Sequence, residues 1–591
     1  MSSASAHSHS DSERTNLAEP RQTMVHDLRV PMRDSIELSL DLLVPDIAGP
    51  LPVILLRTPY DKTRTRVESK EQFDLFTRAG YIVALNDCRG RFNSGGTFFP
   101  YMNEHDDGYD TIEWIAAQEW CDGSVGMIGA SYAGQVQWQA ACRTPPHLKA
   151  IVPIVSPPSS LWLNEPVLNG VLMLAFAEWM VAMGRRTFQA PLEDAFTQDQ
   201  PFIHALPVST IPAHANVVSQ WWQTFLDHPT YDEFWKQYEY NHYEQITVPS
   251  LNVTGWWDLN FPGAPLNFEG MRTRGATHNA RTGAKLIIGP WPHSVNKTGT
   301  LSGVDFGAAA LIDLNSEVLR FFNKWLKGNE DKADTGAPAS IFVTGSNEWR
   351  TYSSFPVAGT AYENLYFHSS GHANTLGGNG VLSTNAPDAA EPPDTFVYDP
   401  ANVAVTHWSI NEGPVDDNTV ASRDDVLCYT SAPLTEYLDV VGWVNCVLYA
   451  ASSATDTDWH VRLLDVLPDG TSRFLCRGAL RARFRESFER PTLLVPGEVT
   501  RFEFGMDATG IRFLPTHRIR IEVTSSWFSQ YDRNMNGGSP NPFHEGMPVV
   551  AEQTVFHTCA YSSYVSLPVI GRAVDRDRPP GIALLGRSSD K

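Results

Sequence analysis

The chain changes rhythm once, near residue 330, and this change limits its fold more than any single motif does. Before it, short apolar runs at residues 52–56, 81–85, 125–128, 151–155, 251–253 and 286–288 are interleaved with helical spacing at 71–79, 110–118 and 315–326. Strands alternating with helices predict a mainly parallel sheet covered on both faces. Ile36, Leu38, Leu40 and Leu42, set against Glu37, Ser39 and Asp41, add one half-buried strand of period two. Beyond residue 340 the helical spacing is lost. Ile341-Phe342-Val343, Leu365-Tyr366-Phe367 and runs at 426–429, 443–449, 459–466 and 519–523 are separated by Gly, Pro, Asn and Asp, which predicts a β-sandwich of jelly-roll type.

One stretch interrupts the first half. Residues 157–249 turn helical and aromatic, with Trp162, Trp179, Trp221, Trp222 and Trp235 and no clear strand, as an inserted cap would. The apolar segment 167–183 is broken by Asn169 and Glu178 and is short for a membrane span, so it is read as a buried or cap helix. The expected division is a disordered tail over 1–23, an α/β domain over 24–156 and 250–330, a cap over 157–249 and a jelly roll over 340–591, with the charged residues 329–338 as linker.

A length of 591 residues accommodates about three or four domains. The formal net charge of −22 repels polyanions, which sets nucleic acid and anionic membrane aside as partners. Seven scattered cysteines without a C-x-x-C pair signal neither a disulfide framework nor a zinc site. The polar, Ser- and His-rich first twenty residues contain no secretory apolar stretch, and the chain is expected to be cytoplasmic.

The chemistry begins at Gly129-Ala130-Ser131-Tyr132-Ala133-Gly134, directly after the apolar run 125–128. Helix, strand, sharp turn and helix follow in the order a nucleophile elbow requires, and small residues clear the space around its serine. The second glycine of G-x-S-x-G falls one residue late, at Gly134, and a serine that merely caps the next helix would read similarly. A serine nucleophile needs a base and an acid, which follow elbows in the order Ser, acid, His, each just past a strand. Asp258, in Gly255-Trp256-Trp257-Asp258, and His293, in Gly289-Pro290-Trp291-Pro292-His293-Ser294, occupy those places. For the oxyanion hole the backbone N–H of Tyr132 is one donor, and the phenol of Tyr60, on the stiff Thr58-Pro59-Tyr60 turn, is the candidate second. Neither a metal nor an organic cofactor is required. Glu104-His105-Asp106-Asp107 could suggest a metal cluster, but acidic residues at a helix amino end explain it better.

These stretches resemble the cocaine esterase and X-Pro dipeptidyl-peptidase superfamily of serine hydrolases, which includes α-amino acid ester hydrolases and glutaryl-cephalosporin acylases. The likeness extends through Asp87-Cys88-Arg89-Gly90, Ser94-Gly95-Gly96, Glu104 to Trp114, Asp424-Asp425-Val426-Leu427, Tyr429 to Leu434 and His517 to Trp527. It implies an α/β-hydrolase domain, a helical cap and a carboxy-terminal jelly roll. It also implies Ser131, Asp258 and His293 as triad, with Tyr60 and Tyr132 as oxyanion donors.

Members acting on α-amino esters place carboxylates near the active site, and one place to look is after the triad aspartate. Here Leu259, Asn260 and Phe261 stand there. A buried cation lacking a countercharge is costly, so an α-amino substrate needs an acid from the cap, for instance Glu165 or Glu178. The expected substrate is a small-molecule neutral carboxylic ester with a bulky or aromatic acyl group, met by Trp162, Trp179, Trp257 and Phe261. Helix-packing core is an equally good account of the two cap tryptophans. Amide-bond acylase, α-amino acid ester hydrolase and X-Pro dipeptidyl peptidase remain alternatives, as does an inactive protein that binds through its β-sandwich.

Overall fold

The computed structural model describes residues 21–191, 200–219, 221–329, 336–388, 390–406, 409–410, 413–414 and 418–571. The predicted tail lies outside these residues up to position 20, and Gln22 and Thr23 already belong to the first strand, paired with Pro45 and Val44.

A ten-stranded sheet organises the first half. Its strands are β1 (Gln22–Pro31), β2 (Glu37–Pro45), β3 (Leu51–Thr58), β4 (Ile82–Asp87), β5 (Cys121–Ala130) and β6 (Leu148–Ile154). After the cap hairpin of β7 (Val167–Leu168) and β8 (Val171–Leu172) come β9 (Leu251–Trp257) and β10 (Lys285–Pro292). A small hairpin, β11 (Thr300–Leu301) with β12 (Val304–Asp305), precedes β13 (Ala339–Val343) and β14 (Glu348–Tyr352). The sheet order is β1-β2-β4-β3-β5-β6-β9-β10-β13-β14. β1, β2 and β14 join antiparallel, and the strands between β4 and β13 run parallel. Parallel strands need cover on both sides, and the sequence provides it by alternation. Val53, Leu55 and Met127 pack on one face with Ile112, Ile115, Trp138 and Phe268 of three helices. Ile54, Leu56 and Ile128 pack on the other with Phe73, Phe76 and Phe322 of two more. Each such side chain contributes about 1.5–3 kcal/mol on burial.

Two sequence expectations are corrected here. Ile341-Phe342-Val343 reads as part of the jelly roll, but β13 pairs parallel with Leu286–Ile288 and β14 closes the same sheet, so the ten-stranded sheet runs to Tyr352. A three-residue apolar run buried on both faces reads alike in either sheet, which is why its pattern did not place it. The segment 167–183 is not one helix: the hairpin β7–β8 turns at Asn169 (φ 48°) and Gly170 (φ 91°), and the helix Leu174–Met183 follows. Asn-Gly suits a two-residue hairpin turn because both central residues need positive φ.

The second half is β-rich. Its long strand Leu438–Ser452 pairs with Thr500–Phe513 on one side and with Tyr564–Val569 and Ala551–Thr558 on the other. This strand thereby ties together twelve strands. Among the described residues no helix is long and apolar enough to cross a membrane.

Candidate active site

β5 is buried from Val125 to Gly129 and delivers the chain to Ser131, whose backbone takes φ 60° and ψ −124°. Positive φ is strained for a residue with a side chain and persists only where the surroundings hold it. Here Ser131 N–H donates to Ile154 O (2.9 Å), and Ser131 O accepts from Gly134 N (2.8 Å) and Gln135 N (3.1 Å). The buried amide of Gln137 braces the turn from beneath, donating to Ala133 O (2.8 Å) and accepting from Val152 N (3.0 Å). A Cβ on Gly129 would lie 2.6 Å from that of Ala133, and one on Gly134 would lie 2.9 Å from Ser156 Cβ. The displaced glycine of the motif is thus explained. Alanine fits at 133 because residue 129 has no side chain, and glycine is needed at 134 where the helix meets the loop after β6. Tyr132 opens the helix Tyr132–Cys142, and the N–H of a first helical residue has no intrahelical acceptor.

Asp258 and His293 are brought together. His293 Nδ1 lies 2.7 Å from Asp258 Oδ1, with the carboxylate side chain fully buried and the imidazole 15% exposed. Asp258 also accepts from Thr254 Oγ1 (2.8 Å) and Asn260 N (3.0 Å). A carboxylate at Nδ1 requires the proton there, which leaves Nε2 of the neutral ring as an acceptor. The His293 loop is held by its own N–H to Ile410 O (3.3 Å), a contact from the β-rich domain.

Tyr60 completes the group. Its hydroxyl accepts from Trp179 Nε1 (3.3 Å), so its own proton is free to point elsewhere, and Ser131 lies within hydrogen-bonding reach. Burial pushes the phenol's pKa up, keeping it a donor. Arg91 steadies this loop, donating from Nε to Pro59 O (2.8 Å) and reaching Arg185 O at the end of the cap helix. Burial lowers the Arg91 pKa to about 10. Glu165 is an electrostatic neighbour of His293, Asp258 and Tyr60. Burial pushes its carboxyl up to about 7, opposed by His293, reinforced by Asp258 and opposed by a hydrogen bond with Asn260.

The four aromatic candidates divide. Trp179 meets Tyr60 and stacks on Tyr132, with centroids 6.1 Å apart. Trp162 instead packs among Tyr231, Trp235, Phe484 and Phe488 and lines a cavity of about 620 Å³ with Ser159, Glu239 and Arg274. Trp257 packs at a tilt against Phe306 and donates to Phe474 O, and Phe261 is buried between Trp256 and Trp443. These three rings serve the seams between domains, a role that aromatic residue type alone does not distinguish from substrate contact.

Sequence reasoning missed the polar groups under the elbow. Tyr132 OH donates to Glu104 Oε1 (2.9 Å) and accepts from Tyr101 N (2.9 Å), while Arg57 lies 2.8 Å from Glu104 in a fully buried ion pair. Arg57, a charge in the otherwise apolar run 51–58, was the available signal. The acidic group beginning at Glu104 does open a helix, Glu104–Ala116. Its Asp106 pairs with Arg143 (2.7 Å) and its Asp107 with Arg89 (2.6 Å).

Residues 34–295 match the X-Pro dipeptidyl-peptidase (S15) family, and residues 331–566 match the X-Pro dipeptidyl-peptidase C-terminal non-catalytic domain. The chain is 35% identical to cocaine esterase of Rhodococcus sp. (strain MB1 Bresler), over 94% of this chain and all of that one. An aminopeptidase from a marine sediment Thaumarchaeota archaeon superposes with a TM-score of 0.82 at 26% identity, covering 96% of this chain and 99% of that one. An α-amino acid ester hydrolase superposes equally, with a TM-score of 0.82 at 27% identity, covering 95% of this chain and 100% of that one. With matched domains spanning most of its length and a full-length relative at this identity, the chain belongs to the cocaine esterase and X-Pro dipeptidyl-peptidase superfamily of serine hydrolases.

Proposed function

We propose that the protein hydrolyses carboxylic esters through an acyl-enzyme formed on Ser131. Ser131 Oγ attacks the ester carbonyl as His293 Nε2 takes its proton, giving a tetrahedral oxyanion. The Tyr60 phenol and the Tyr132 N–H donate to that oxygen, and Asp258 stabilises the imidazolium. Collapse breaks the ester C–O bond, with His293 returning the proton to the leaving alcohol. Water then repeats the sequence on the acyl-enzyme and releases the acid. The observation carrying this reading is the Asp258–His293 contact at 2.7 Å, together with Tyr60 beside the strained Ser131.

The preferred substrate is a neutral ester with a bulky or aromatic acyl group, supported by Trp179 at the wall beside Tyr60. A second reading, an α-amino ester, is favoured by Glu165, a carboxyl in the same neighbourhood that ionises near neutral pH. A panel of nitrophenyl acyl esters, α-amino esters, acyl amides and X-Pro anilides tests both. Neutral esters are expected to be cleaved fastest, and Ser131→Ala is expected to abolish turnover. Residual turnover near wild type would remove Ser131 from the mechanism. Faster cleavage of α-amino esters, lost on Glu165→Gln, would select the second reading.

A further inference from the structure

The last two residues of β9 meet the β-rich domain, and Asp258 follows them directly. Trp256 lies against Gly510 of the strand Thr500–Phe513, where an added Cβ would come 2.2 Å from the indole Cζ2 and 2.8 Å from Cε2. Trp257 donates from Nε1 to Phe474 O (3.1 Å). Asp258 has Asp507, three residues before Gly510, as an electrostatic neighbour. The same edge of the Trp256 ring system donates from Nε1 to Phe342 O (2.6 Å), and Phe261 packs against the rings with centroids 5.3 Å apart. Gly510 is fixed as well, since its carbonyl accepts from Thr344 N (2.9 Å) and Oγ1 (3.0 Å).

One edge of the indole is therefore hydrogen-bonded to Phe342 of β13 and set against Gly510 of the β-rich domain. We infer that Gly510 is a positioning residue for Asp258, so that the β-rich domain sets the geometry of the catalytic acid. This rests on the reading of Asp258 as the triad carboxylate. Asp258 is two residues beyond Trp256 and its N–H turns back to Gly255 O (3.1 Å), so a shift of the ring carries directly into the carboxylate. A 2.7 Å contact with His293 tolerates little displacement, and misplacement of about 1 Å can lower rates about 100-fold. The charged groups around this point are His293 and Glu165 facing Asp258, and Arg477 facing Asp507. Burial pushes Asp507 up to about 6, opposed by Arg477 and reinforced by Asp258.

The test is kinetic. Gly510→Ala is expected to lower kcat about 10- to 100-fold with KM within about twofold, because ground-state binding does not use Asp258. The second-site change Trp256→Phe removes the atoms that the new Cβ would strike. The double variant is therefore expected to regain most of the lost kcat relative to Trp256→Phe alone. The double variant, in which the struck indole atoms are gone, is readable even if Gly510→Ala alone does not fold. Wild-type kcat in folded Gly510→Ala, or a double variant whose kcat stays well below that of Trp256→Phe alone, would each overturn the inference. Asp258→Asn, measured in parallel, separates the two claims. If it retains activity the triad reading fails, and if it alone is inactive only the role of Gly510 fails.

Discussion

Tyr60 shows how much one hydroxyl can be asked to do. Its oxygen accepts from Trp179, so in the proposed mechanism its proton is the one offered to the reacting carbonyl. Tyr60→Phe is expected to lower kcat about 100- to 1000-fold with little change in KM, as removal of one oxyanion donor does elsewhere. An unchanged kcat would exclude the donor role. Glu178 presents a different case on the cap helix. It is 4% exposed, and its Oε2 has no hydrogen-bond partner among the described residues. Burial alone pushes its pKa up to about 8 from an ordinary 4.5. A raised carboxyl contributes stability that is fully present below about pH 4.5 and lost as pH rises through about 8, because the unfolded chain releases the proton first. At full extent this is about 5 kcal/mol. Denaturant unfolding is expected to find the wild type less stable at pH 8 than at pH 5, with Glu178→Gln flattening that slope. A slope unchanged by the substitution would assign it to other groups.

At the scale of elements, the elbow is where sequence and structure correspond most closely. Its strand, turn and helix were legible because the constraint is local: a buried strand, a crowded turn and small residues on either side. Gly134→Val tests the crowding. Branched bulk placed 2.9 Å from Ser156 Cβ and 3.1 Å from Ile154 O must push the helix Tyr132–Cys142 off β6. A stability loss of about 1–3 kcal/mol is expected, with a larger proportional loss of kcat, read from chemical denaturation and ester turnover. Wild-type activity in that variant would mean the helix has room to move. The order of Asp258 and His293 was legible for a related reason, since both follow apolar runs that can only be strands. Membership of β13, the hairpin inside the cap, and the Arg57–Glu104–Tyr132 support were not legible. Each depends on which distant segment supplies the neighbour, and neither period nor composition carries that information. The cap aromatics illustrate the same limit: Trp162 and Trp179 look alike in sequence, yet one faces Phe484 and the other Tyr60.

Across the whole molecule, the cap is joined to the β-rich domain by backbone pairing as well as by side chains. Met173 bridges Tyr531, Leu174 N donates to Gln530 O (2.8 Å), and Asn169 Nδ2 donates to Ala479 O (2.9 Å). At the centre of this seam lies a buried charge network. Arg481 binds Asp458 through two hydrogen bonds of 2.9 Å and reaches both oxygens of Asp532 at 3.0 Å. Asp532 in turn accepts from Leu172 N of β8 (2.8 Å), so the network holds the cap hairpin directly. Burial raises the Asp532 carboxyl to about 6, and Arg481 opposes that rise. Replacing Arg481 with Met keeps the packing volume and removes the cation, leaving two buried carboxyls without a countercharge. The expected cost is about 3–5 kcal/mol near neutral pH, as for other buried pairs broken on one side. It should shrink toward pH 5, because Asp532 can then take up a proton and shed part of the uncompensated charge. The measurement is denaturant unfolding of Arg481→Met and wild type at pH 5 and pH 8. A penalty independent of pH would assign the loss to packing. A penalty that falls with acidity would establish that the cap is held to the β-rich domain chiefly by this charge balance.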